Sequence, residues 1–98
     1  SVAVNCLLRI ELHEFSQVFD SPQSSRGVLQ ATVSLVSGQR QLLAERQFTV
    51  QQSASNPDAG SGVKALVATG TVFGQQLSDW LSLQEKNSAL VVCHSARP

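Results

Sequence analysis

His13 stands two residues after Glu11 and next to Glu14, so an imidazole and two carboxylates share one short stretch. Such a set could move protons or hold a divalent metal. Glu11 and His13 also fall on one face of a strand, and alternating polar residues on a solvated sheet face explain them more simply. His94, in the C-terminal tail, has no partner at a recognisable spacing, and neither histidine accompanies a Ser or Cys nucleophile in a catalytic motif.

Gly60-Ser61-Gly62-Val63-Lys64, at the start of a helical pattern, is the best small-ligand candidate. Backbone amides at a helix N-terminus can receive an anion, and Lys64 could add charge. The stretch departs from the Walker pattern in its first glycine and in the spacing to Gly-Lys, so a flexible helix start is the simpler reading. No cofactor-binding, metal or catalytic set is assigned. Cys6 and Cys93 do not form a Cys-x-x-Cys pair, are too few for a disulfide scaffold, and leave the redox compartment open.

These residues must be positioned by one domain spanning residues 1–98, large enough for a single core. Seven basic and seven acidic residues cancel, which argues against steering towards nucleic acid or an anionic membrane. No run reaches the ~20 apolar residues of a membrane span. From Asp58 to Leu83, the residues Val63, Leu66, Val67, Phe73, Leu77, Trp80 and Leu81 recur at steps of three and four, with Gly70 and Gly74 among them. This is the period of one helical face. The helix would run ~37 Å at ~1.5 Å per residue, longer than any strand expected here. Asn56 or Asp58 can cap it, and Pro57 suits its first turn. Gly70 and Gly74 are expected to let the helix approach a sheet closely, with a Gly-x-x-x-Gly contact to a second helix as the alternative.

The first strand is expected from Cys6 or Leu7, with Leu8, Ile10 and Leu12 alternating against Arg9, Glu11 and His13. The phase slips near Glu14, predicting a β-bulge, after which Phe15 takes the apolar side. Asp20 to Ser25, closed by Gly27, reads as a loop. Phe15, Val18 and Phe19 beside it either plug the end of the core, the favoured reading, or present an attachment patch. A second strand over Val28–Val36 leads through a Ser37-Gly38 turn to a third over Gln41–Gln51, in which Arg46 falls on the apolar face near an edge. The polar sides of all three agree, predicting an antiparallel meander covered by the helix on one face only. Residues 89–93 read as a short buried strand reached by a crossover, giving an α/β (α+β) fold in the order β-β-β-α-β. That direction count puts Cys6 and Cys93 at opposite ends of the sheet, too far apart to bridge.

Leu8 to Pro22 with Ser24-Ser25, Arg46-Gln47-Phe48, Asp58-Ala59 and Asp79-Trp80-Leu81 together resemble the ABC-type transport auxiliary lipoprotein family, the PqiC-like periplasmic lipoproteins. The most specific features are the run from Phe15 to Pro22 and the Trp80-Leu81 helix ending. The similarity covers about Leu7 to Leu83 and corresponds to the C-terminal half of the family domain. A lipid-modified cysteine and a first α/β half would precede the equivalent of Leu7; Asn5 before Cys6 does not suit a lipoprotein cleavage site. The resemblance implies a non-catalytic accessory component of a Gram-negative lipid transport system, anchored at the outer membrane and docking onto an MCE-type partner and its ABC complex. Self-association is left open. The candidate partner contacts lie in the stretch Phe15 to Ser25: Phe15, Gln17, Val18, Phe19, Asp20 and Pro22. The rival is a small anion-binding or enzymatic domain using Gly60 to Lys64, and a structural oligomerisation module is a third reading.

Overall fold

Alternating apolar residues make strands of this chain's first half, and the 3.6-residue period makes a helix of its second. In a computed structural model describing residues 6–90 and Cys93, β1 (Cys6–Ser21), β2 (Ser24–Ser37) and β3 (Leu42–Ser53) are followed by α1 (Ala59–Gln84) and a 3-10 turn, Ser88–Leu90. The sheet is antiparallel in the order β1-β2-β3, an α+β arrangement with one helix on one face. Of the fourth strand expected over residues 89–93, Ala89 and Leu90 lie instead in the 3-10 turn, and residues 91 and 92 lie outside the described residues, as does His94.

The β1–β2 register places Leu8 on Leu35, Ile10 on Val33 and Leu12 on Ala31. A shift between Leu12 and Glu14 then brings Phe15 onto Leu29. The predicted bulge is therefore real, and it keeps Phe15 on the apolar side. Asp20 to Ser25 is not the expected loop: both strands run on through it to a turn of only Pro22 and Gln23. Turn-favouring residues can continue a ladder when cross-strand partners are present, and Arg26 supplies one by holding Asp20 across the hairpin at 3.0 Å. At ~3.3 Å per residue the 16-residue β1 spans ~53 Å, whereas the 26-residue helix spans ~39 Å. The strands, not the helix, are the longer elements, contrary to expectation.

The β2–β3 turn leaves Arg40, not Gly38, in the left-handed region, at φ 66°. Ser37 holds the turn by donating its N–H to Gln41 O and accepting Gln39 and Gln41 N–H on Oγ. At the helix start, Asp58 is the cap, accepting the Ser61 N–H at 2.7 Å; Pro57 precedes the cap rather than entering the first turn.

The core lies between α1 and the β2–β3 pair: Leu29, Ala31, Val33 and Leu35 of β2 and Phe48 and Val50 of β3 are buried. Trp80 is buried with them, and the Phe48 ring meets Phe73 and Trp80 edge to face at 5.4 and 6.2 Å. Arg46 lies over the Phe48 ring at 4.8 Å while remaining exposed, as an edge arginine with an apolar stem should.

The close helix–sheet approach is made by other glycines than the two expected. A side chain at Gly70 or Gly74 would meet nothing within 4 Å. At Gly27 of β2, by contrast, a Cβ would stand 3.0 Å from the Ala65 backbone. Gly70 and Gly74 are exposed with Val63 and Val67, so the apolar period of α1 is wider than the stripe it buries.

Cys6 and Cys93 form a disulfide, with Cα atoms 5.4 Å apart. The expected separation is overturned. A helix antiparallel to β3 returns the chain to the end of the sheet where β1 begins, and the 3-10 turn after it keeps Cys93 there.

Candidate docking surface

A helix ~10 Å wide covers two strands spaced ~4.8 Å apart, not three. Here it packs mainly on β2 and β3. The side chains that β1 turns to the helix side stay open: Leu8, Ile10, Leu12, Phe15 and Phe19 are each about half exposed, while their partners on β2 are buried. Among the described residues nothing covers this apolar strand face, which lies on the same side as the core and is interrupted by Gln17.

The free edge of β1 can be traced through the ladder. Ser37 N–H donates to Gln41 O, and Ser25 O accepts Ala54 N–H, so the odd-numbered residues of β2 turn their amides to β3. The even-numbered residues of β2, including Thr32 and Ser34, therefore bond β1 through Glu11 and Arg9. Leu8, Ile10 and Leu12 consequently point their main-chain groups outward. Arg9 and Glu11 lie side by side on the opposite face, 3.8 Å apart and more than half exposed.

Gln17 ties the far end of β1 to the helix. Its Nε2 donates to Ser25 Oγ and to Asp58 O, both at 3.0 Å. Gly62 makes the space for it, since a Cβ there would fall 2.1 Å from Gln17 Oε1. Gln17 is thus held by the protein's own groups rather than offered to a partner.

The other sequence-named contacts divide between two faces. Phe15 and Phe19 extend the uncovered apolar row and leave the core unplugged at that end. Val18, half-buried, falls on the opposite face against Arg26. Asp20 is engaged by Arg26, and Pro22 is exposed in the turn. Leu8, Ile10 and Leu12 belong to the open surface although their alternation marks them as covered. The signal that could have found them is the width of one helix against three strands.

The proton-transfer candidate disperses. His13 shares a 2.8 Å hydrogen bond with Thr32 Oγ1, Glu14 accepts the Ser16 hydroxyl, and Glu11 lies beside Arg9. Among the described residues no three His, Cys, Asp or Glu side chains gather as a metal site. Lys64 is exposed on the helix, across the sheet from His13. At the Gly60 to Lys64 helix start the anion position is taken from within. The hydrogen bond from the Ser61 amide, with help from the Ser61 hydroxyl and Lys64, lowers the Asp58 carboxyl below its usual 3.8.

Compared with protein-family models, with curated proteins and with solved structures, the chain matches none.

Proposed function

We propose that this chain is the C-terminal half of a PqiC-like transport auxiliary lipoprotein domain. In this reading it is a non-catalytic component of a Gram-negative ABC lipid transport system. It docks onto an MCE-type protein in the periplasm, and the full-length protein is held at the outer membrane by a lipid anchor. The observation that carries the reading is a disulfide beside an open apolar strand. The Cys6–Cys93 bridge suits an oxidising compartment. The half-exposed row from Leu8 to Phe19 is the kind of surface that proteins keep for docking. The Phe15 to Pro22 run that carries the family resemblance forms the end of that strand and its turn.

The rival anion-binding or enzymatic reading has less support, because Asp58 occupies the helix start and Lys64 and His13 stand on opposite sides of the sheet. Co-purification of the full-length, anchored protein with the MCE-type protein from the same source tests the proposal. Binding is expected, weakened by Phe15→Asp or Phe19→Asp and unaffected by Lys64→Ala. No co-purification by the anchored protein overturns it.

A further inference from the structure

Among the described residues β1 is an edge strand with an uncovered apolar face and outward main-chain groups at Leu8, Ile10 and Leu12, an arrangement that natural sheets ordinarily protect. Its residues are also complementary to themselves. Set a second β1 antiparallel against this edge with Ile10 opposite Ile10. Leu8 then faces Leu12 of the other copy, and Arg9 faces Glu11, twice by symmetry. The hydrogen-bonding phase agrees, since Ile10 and its flanking leucines are the residues whose amides point outward. Arg9 and Glu11 fall in the non-hydrogen-bonded pairs, where cross-strand side chains come closest.

Neighbouring registers are worse. Sliding by two residues one way puts Arg9 on Arg9, and the other way Glu11 on Glu11. A one-residue slip would set the apolar row against the polar one. We infer that β1 is the dimerisation strand of this chain: two copies join edge to edge in the Ile10-centred register, making one continuous sheet with both helices on the same face. Gly62, lying against Gln17, marks the flank of α1 turned to β1. This inference does not depend on the transport reading, because the dimer needs no second protein.

The test is sedimentation equilibrium of the oxidised chain together with charge-reversal variants at exposed positions. A dimer is expected. Arg9→Glu or Glu11→Arg alone should weaken it about tenfold or more, through two lost pairs and two like-charge contacts. The double variant Arg9→Glu/Glu11→Arg should restore it. Ile10→Cys should form an intermolecular disulfide across the two-fold, whereas Arg9→Cys should not. Thermal unfolding of each variant separates loss of pairing from loss of fold. A monomer at ~100 µM, far above the dissociation constants of stable dimers, overturns the inference. So does a dimer indifferent to the charge reversals.

Discussion

The Cα atoms of Cys6 and Cys93, separated by 87 residues of sequence, stand 5.4 Å apart and are joined through their sulfurs. The bridge ties the first residue of β1 to the segment that follows α1, closing almost the whole chain into a loop. A loop of this length removes chain entropy worth ~4 to 5 kcal/mol from the unfolded state in the simple closure treatment. Reduction, or Cys6→Ser with Cys93→Ser, should therefore lower unfolding stability by up to ~4 kcal/mol. Urea unfolding with and without reductant checks this; equal midpoints would contradict it.

Glycine substitutions should separate the helix face that touches the sheet from the one that does not. Gly70→Ala and Gly74→Ala meet open space, so each should stabilise by ~0.5 to 1 kcal/mol through helix propensity alone. Gly27→Ala should cost ~1 to 3 kcal/mol, because its Cβ would press on the Ala65 backbone at 3.0 Å. Chemical denaturation of the three variants reads both signs.

Phe48 is the ring on which the core turns, buried at 2% exposure and edge-on to both Phe73 and Trp80. Phe48→Ala should cost ~3 to 5 kcal/mol. Arg46→Ala, which removes only an exposed cation over that ring, should cost ~1 kcal/mol or less. Trp80 fluorescence during urea titration follows both.

Asp58 should make stability depend on acid. Its folded pKa is lowered, chiefly by the Ser61 amide hydrogen bond, so the cap's contribution is present above the unfolded value near 3.8 and is lost as pH falls through the folded one. Above pH 5 Asp58→Ala should melt at a lower temperature than the parent chain, and the difference should shrink steadily below pH 3.8. A difference constant down to pH 2 would show that the carboxylate is not the cap.

Much of this architecture was legible because its periods are local. The steps from Val63 to Leu81 announce α1, Asp58 its start, and the slip at Glu14 the bulge in β1. What local pattern could not carry was lateral. Leu8, Ile10 and Leu12 alternate in the same way whether or not a helix lies over them, so their exposure follows only from where α1 sits across the sheet. Asp20 to Ser25 have turn chemistry, yet the Asp20–Arg26 pair holds them in the ladder. The Cys6–Cys93 bridge is not legible in the sequence, because the position of Cys93 depends on the direction of a short final segment whose composition suits more than one conformation. Gln17, named as a partner contact, gives no sign in sequence of the Gly62 notch that holds it.

The open edge of β1 is proposed as a surface for association. Amide hydrogen exchange at Leu8, Ile10 and Leu12 tests it most directly, measured on the oxidised chain at low and high protein concentration. Fast exchange is expected at these three positions in dilute solution and marked protection at high concentration, with the β2-bonded amides of Arg9 and Glu11 protected throughout. Fast exchange at Leu8, Ile10 and Leu12 at every concentration would contradict it.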